Sequence, residues 1–370
     1  MFNRLKVFLM NWITILYGKV PFILKHWLYY VYNSIKAFPK LIRYSIIDFS
    51  KLKMVNSSVG IDASSICQLN CPVCPTGKGI NKEGIIGKGY LKFIDFKNFV
   101  NKNPNIRNIE LSNWGEIFLN PDLIQIIKYA YLKRINLTAG NGANLNDVRK
   151  EVLESLVKYN FKRLVVSLDG AKNESYKIYR QGGDFNKVIM NLNLINYYKK
   201  KFHSNFPKLY WQFIIMSHNE HELPVARNMA QKLGLKFFPK LNRIPSYYPI
   251  QNKEFVRKES GLGVASRDEF FQKYKKPYLL SCIRFWTSPQ INWDGTLLGC
   301  GNNIWTSFGN VFESGLISCL QRKDYIYIKQ FLMGKKKEKE GIPCLKCSNY
   351  KIIKNAPLRK RDILINIFVI

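Results

Sequence analysis

Acidic residues are scarce in this chain. Only 25 Asp and Glu stand against 58 Lys and Arg over 370 residues, a formal net charge of +33. An excess of that size implies attraction to something anionic: a nucleic acid, a phospholipid surface or a phosphorylated substrate. The plainer reading is a lysine-rich composition in which Lys fills solvated positions. Histidine is scarcer still, with four in all (His26, His203, His218 and His221), so a His-built zinc site has little to draw on. In the first fifty residues the longest stretch without formal charge is twelve residues, 7–18. A bilayer-spanning helix needs about 20, and Pro21 then interrupts any continuous helix. No A-x-A-like cleavage site follows, which sets a secretory signal aside. No familiar nucleic-acid module is present, and the lysines are spread along the chain instead of interleaved with aromatics in one patch. Nucleic acid is therefore not the expected partner.

A disulfide framework is not expected either. Of eight cysteines, Cys67, Cys71 and Cys74 stand too close together to pair usefully, and Cys344 and Cys347 repeat a metal-type spacing. The thiols point to a reducing cytoplasm. With 46% hydrophobic and 14% aromatic residues the chain is not disordered, and its length allows one large domain plus a smaller one.

The densest chemical signal is Cys67-Gln68-Leu69-Asn70-Cys71-Pro72-Val73-Cys74. Three soft thiolates on one loop suit zinc or an iron–sulfur cluster. On a [4Fe–4S] cube, three protein ligands leave one iron open, as catalytic metal sites leave a position open. Zinc usually takes four protein ligands, and no histidine stands beside the loop.

From about residue 58, short apolar runs alternate with amphipathic stretches, the mark of βαβ units and a parallel sheet. Strands are expected at 59–63, 109–111, 135–138, 164–168, 212–216 and 235–238, and helices at 121–133, 147–159, 186–202 and 222–233. Six strand–helix pairs make an α/β, partial (β/α)6 TIM-like barrel, two pairs short of closure. Ligands gather at the carboxyl ends of such strands. The cysteine loop follows the first strand, Asn113-Trp114-Gly115-Glu116 ends the second, Asn141-Gly142 follows the third and Ser167-Leu168-Asp169-Gly170 ends the fourth.

These residues resemble the radical S-adenosylmethionine (radical SAM) superfamily over roughly residues 58 to 240. The resemblance implies that Cys67, Cys71 and Cys74 hold a [4Fe–4S] cluster whose open iron is chelated by S-adenosylmethionine (SAM), and that a low-potential donor of flavodoxin or ferredoxin type supplies the electron. Gly115 and Glu116 are similar to the Gly-Gly-Glu element that contacts the SAM amino group, with Trp114 in place of its first Gly. Ser167 and Arg180 resemble the hydroxyl and guanidinium that hold the SAM carboxylate, a task suited to the planar Arg fork. Val73 lies where the main chain meets adenine, and Asp169 is placed to reach either ribose or substrate. The family's reaction yields a 5′-deoxyadenosyl radical that abstracts hydrogen from a substrate.

The flanks complete the expected plan. Residues 1–55 alternate aromatic clusters with single cations and read as amphipathic helices, either lying on an anionic membrane surface or docked on the barrel. Residues 243–280 read as a linker with one short helix at 267–274. In 281–350, Cys282, the Asp294-Gly295 hairpin signal, Cys300, Cys344 and Cys347 supply four thiols. The stretch is similar to the SPASM/twitch extension of radical SAM enzymes, which implies one auxiliary [4Fe–4S] cluster; a zinc ribbon is the rival, since four thiolates suit either. Cys319 reads as a buried, inert thiol, and 351–370 is a basic and aliphatic tail. The functional expectation is a cytoplasmic radical SAM oxidoreductase, either free or peripheral on the cytoplasmic membrane face, acting on a sugar-like, glycan or lipid-linked substrate. A leader-binding domain of about 80 residues, common in peptide modifiers, does not fit before the barrel. A peptide- or protein-modifying maturase is the alternative. A non-catalytic Cys-metal protein bound to nucleic acid or membrane is the alternative of another class.

Overall fold

A computed structural model describes residues 57–79, 84–355, 357–360 and 362–363. The amphipathic segment expected at 1–55 lies outside the described residues, as do residues 364–370 of the tail. Among the described residues no helix is long and apolar enough to cross a membrane.

The barrel strands are β1 (Ser58–Ile61), β2 (Asn108–Glu110), β3 (Asn136–Ala143), β4 (Arg163–Ser167), β5 (Lys208–Ile215) and β6 (Lys236–Leu241). They pair in chain order, each parallel to the next. The helices between them include α1 (Phe93–Lys102), α2 (Leu123–Leu132), α3 (Lys150–Lys158), α4 (Asn173–Tyr179), α5 (Phe185–Lys201) and α6 (Leu223–Lys232). Three more follow, α7 (Lys253–Glu259), α8 (Arg267–Tyr274) and α9 (Arg284–Thr287), before the short strands β7 (Gln290–Ile291) and β8 (Leu297–Gly299). The six expected barrel strands and the four expected helices are all present.

Period-two alternation along the strands decides what each face does. Val59, Ile61, Ile109, Leu111, Leu137, Ala139, Leu164, Val166, Leu209, Trp211 and Phe213 are buried in one core with the helix residues Ile126, Leu153, Leu192 and Ala226. The alternate positions (Gly60 and Asp62, Glu110 and Ser112, Thr138 and Gly140, Ser167, Gln212, Lys240) therefore face the barrel interior. A closed eightfold barrel fills that space with branched apolar side chains. Here it is polar, as an open barrel that houses a ligand requires.

Three boundaries differ from expectation. Asn141-Gly142 lies inside β3, not after it, because that strand continues through a register shift between Ala139 and Ala143. Residues 243–280 hold two helices instead of one. Besides α8, which Ser266 caps by accepting from Glu269 N, Asn252 caps α7 by accepting from Phe255 N at 2.9 Å. Finally, the hairpin around Asp294-Gly295 belongs to the main sheet. β7 lies parallel against β1, and β8 runs antiparallel to β7, giving the order β6-β5-β4-β3-β2-β1-β7-β8. The C-terminal region therefore extends the barrel's first edge. Gly295 turns the hairpin at φ +90°, where a Cβ would strike the Asn310 side chain and the Phe312 ring.

Candidate active site

The cysteine loop leaves β1 at the carboxyl end of the sheet. Gly115 N donates to Ser64 O at 2.9 Å and Glu116 N to Ile66 O at 2.8 Å, so the loop after β2 is laced to the chain entering the cysteines. The two segments run so close that a Cβ on Gly115 would sit 2.5 Å from Ser64 O and 2.6 Å from Ile66 N. Trp114, at the position of the absent first Gly, turns its ring toward Ile86, Leu298 and Ile304 beside β8. Its carbonyl accepts the Thr76 hydroxyl from the far end of the cysteine loop.

Cys71 is buried, while Cys67 and Cys74 are partly exposed. All three pack around Leu69, Tyr179 and Met216, with Val73 beside them. Cys67 Sγ accepts from Leu69 N at 3.5 Å and from Asn144 Nδ2 at 3.7 Å. Burial pushes the Cys67 thiol up to about 12, helped by the Glu116 charge and the neighbouring thiols. Burial raises Cys71 too, against the lowering effect of Arg180, whose Nη1 lies 3.7 Å from its sulfur. Desolvated thiolates of this kind are costly without a positive centre to hold them. The donor set thus fits an iron–sulfur cluster. Among the described residues no three His, Cys, Asp or Glu side chains gather tightly enough for a single metal ion; a cube, being larger, holds its thiolates farther apart.

Arg180 follows α4 and reaches back to Asp169. Its Nε and Nη2 each lie 2.6 Å from Asp169 Oδ2. Asp169 Oδ1 accepts from Ile214 N at 2.6 Å, so both carboxylate oxygens are engaged. The Ser167 hydroxyl accepts from Gln212 Nε2 at 3.3 Å. Glu116 is buried and its carboxylate is held by main chain, accepting from Asn144 N at 2.6 Å and Phe118 N at 3.3 Å. Burial lifts it to about 7, with those two bonds and Arg180 opposing. Its carboxylate clamps the end of β3 to the loop after β2.

A second group of thiols lies across the barrel edge. Cys282 sits in a 3₁₀ turn (Ser281–Ile283), Cys300 follows β8, Cys344 lies in a 3₁₀ turn (Pro343–Lys346) and Cys347 opens the helix Ser348–Ile353. Together they line one small cavity with Phe285 and Tyr350. Burial and mutual repulsion hold the Cys282 and Cys344 thiols well above their ordinary range. Four thiols on one cavity match the ligand count of a closed iron–sulfur cluster site. Cys319 stands apart, buried beneath Gly309, where a Cβ would lie 3.0 Å from its sulfur.

Between the two thiol groups lie residues that the sequence reading passed over. Asp62, fully buried at the end of β1, accepts from Gln290 Nε2 at 2.9 Å and from Trp114 N at 3.4 Å. Burial pushes it up to about 8 despite the Arg284 charge nearby. Arg284 also feels Glu110 and Cys300, and Asn113 Nδ2 donates to Gly301 O at 3.1 Å. The signal was present: Asp62 and Gln212 are polar residues inside otherwise apolar strand runs, at positions that alternation turns inward.

No protein-family model matches the chain, and no curated protein matches it in sequence. Solved structures do. SuiB from Streptococcus suis bound to S-adenosylmethionine superposes with a TM-score of 0.57 at 14% identity, covering 86% of this chain and 76% of that one. SuiB bound to the precursor peptide SuiA gives 0.55 at 15% identity, covering 86% and 74%. At that identity the likeness concerns the fold, and the shared fold is the partial α/β barrel that the alternation of strands and helices led one to expect.

Proposed function

We propose that the chain is a radical SAM enzyme. The observation that carries this reading is the placement of Cys67, Cys71 and Cys74 after β1, at the carboxyl end of a barrel shared with a SAM-bound structure. When bound, the [4Fe–4S] cluster and SAM supply a 5′-deoxyadenosyl radical for hydrogen abstraction from the substrate. The three thiols would hold the cluster, and the Val73 main chain would meet adenine. The main chain around Gly115 and Glu116 would receive the SAM amino group, since the Glu116 side chain is already engaged. Ser167 and the Arg180 fork would face the SAM carboxylate, with Asp169 holding Arg180 in place. Anaerobic reconstitution with SAM and dithionite tests this. The wild type should form 5′-deoxyadenosine and Cys71→Ala should not; no product from the wild type, or equal product from the variant, ends the reading.

The C-terminal thiols are proposed to hold one auxiliary [4Fe–4S] cluster, making this a SPASM/twitch-type oxidoreductase. Their support is the shared cavity lined by Cys282, Cys300, Cys344 and Cys347. Zinc without additional iron in the reconstituted protein would favour the zinc-ribbon reading instead. The polar interior suits a sugar-like, glycan or lipid-linked substrate. Peptide modification is the second reading, and what favours it is the peptide-bound state of SuiB. A flavodoxin or ferredoxin type donor and contact with an anionic membrane through residues 1–55 complete the proposal. Liposome flotation with and without those residues tests the last point.

A further inference from the structure

The β4–β6 side of the barrel carries more positive charge than it can neutralise. Trp211 and Phe213 pack outward against Phe185 and Phe237, which turns Gln212 inward. Lys240 Nζ donates to Gln212 Oε1, and Gln212 Nε2 donates to the Ser167 hydroxyl at 3.3 Å. The main chain at Gly142 packs close against that hydroxyl, where a Cβ would collide with it.

Lys240 is held by a neutral amide and by the Phe238 ring, its ammonium 5.1 Å from the centroid. Three guanidiniums face it: Arg163 from β4, Arg180 from beyond α4 and Arg267 from α8. Among the described residues the carboxylate that most favours its charge is Asp169, and both oxygens of Asp169 are engaged by Arg180 and Ile214 N. Arg163 stacks 4.6 Å above Tyr210, and its Nε is buried without a hydrogen-bond partner. Arg267 is satisfied by Leu241 O, at 3.1 and 3.2 Å, and stacks on Tyr278. Burial and the like charges lower Lys240 to about 8. A cation left among cations in a partly buried site is a standing cost to the fold, and an anionic ligand would remove it.

We propose that Lys240, oriented by Gln212, forms a subsite for an oxyanion, a phosphate or carboxylate carried by the substrate, on the β4–β6 wall and separate from the Ser167 hydroxyl assigned to SAM. The substrate is then a polar, negatively charged molecule. Lys240 supplies the charge and Gln212 orients the ammonium. The role as a substrate subsite rests on the radical SAM reading; the binding itself does not.

The full-length, anaerobically reconstituted protein is titrated calorimetrically with inorganic phosphate and, separately, with acetate, each with and without saturating SAM. Wild type should bind one of the two anions whether or not SAM is present, and the anion bound names the class. Lys240→Met should weaken that binding about tenfold or more, as loss of a charged hydrogen bond does, and Lys240→Arg should retain it. Gln212→Glu places a carboxylate against Lys240; it should abolish anion binding and raise the unfolding temperature, which also shows that the variant folds. Binding of neither anion, unchanged binding in Lys240→Met, or displacement of the anion by SAM would overturn the subsite. Loss of 5′-deoxyadenosine formation with anion binding intact would instead count against the radical SAM reading alone.

Discussion

Arg180 grips a single oxygen of Asp169 with two of its nitrogens, each at 2.6 Å, while its third nitrogen points at the Cys71 sulfur 3.7 Å away. One guanidinium thus ties the fourth strand to the cysteine loop. The Asp169 side chain is fully buried and that of Arg180 is 13% exposed. Removing one partner of such a pair leaves the other uncompensated, which typically costs 3–5 kcal/mol. Asp169→Ala also strips Ile214 N of its acceptor. We expect it to lower stability by about 3 kcal/mol or more, read as a fall in the urea midpoint. A midpoint equal to wild type would show that the pair contributes nothing to the fold.

The two thiol groups should separate under mutation. They sit in different segments, and the chain from α1 through α8 stands between them in sequence. Cys344→Ala removes one of four ligands from a closed site and leaves Cys67, Cys71 and Cys74 untouched. The expected result is loss of about half the iron, with 5′-deoxyadenosine formation retained. Cys71→Ala should show the converse: retained auxiliary iron and no 5′-deoxyadenosine. Iron analysis and product chromatography check both. If either variant loses all its iron, the two groups do not assemble independently.

Much of this was legible in the sequence, and the division has a physical basis. The strands at 109–111 and 164–168 lie within one residue of β2 and β4 because their apolar residues are consecutive in the chain, and burial acts on local pattern. The helix over 267–274 was placed to the residue, since Ser266 provides its cap. The cysteine loop is local as well. Lys240 and Arg284 were not legible. Lys240 lies in Pro239-Lys240-Leu241, which carries no motif, and its meaning comes from Gln212, 28 positions earlier. Arg284 acquires its role from Asp62 and Cys300. Glu116 shows the same limit, because its partner Asn144 is 28 residues away in sequence.

Asp62 gives a pH signature. Its carboxyl rises from an ordinary 3.8 to about 8, chiefly through burial. In the folded protein it keeps its proton where the unfolded chain has lost it, so the native state binds more protons between those two values. Its contribution to stability is therefore full below about 3.8 and is lost as pH rises through about 8. Asp62→Asn keeps the amide contact to Gln290 and cannot ionise. Relative to wild type, the variant should gain unfolding temperature between pH 5 and pH ~8.5. An equal difference at both values would mean that Asp62 titrates normally.

Gly115 sets the spacing between the loop after β2 and the chain that delivers the cysteines. Its φ is not in the left-handed region, so the constraint is contact and not backbone strain. A Cβ would lie 2.5 Å from Ser64 O, 2.6 Å from Ile66 N and 2.7 Å from Ile66 O. All three are main-chain atoms, which cannot rotate away as a side-chain end could. Gly115→Ala must push the two segments apart and break the bonds from Gly115 N to Ser64 O and from Glu116 N to Ile66 O. Overpacking of this kind costs about 1–3 kcal/mol, and here the displacement falls one residue before Cys67. The variant should fold with a lowered unfolding temperature and take up less iron at the first site, while the site built on Cys282, Cys300, Cys344 and Cys347 fills normally. Full iron at both sites with an unchanged unfolding temperature would show that the approach is looser than the geometry requires.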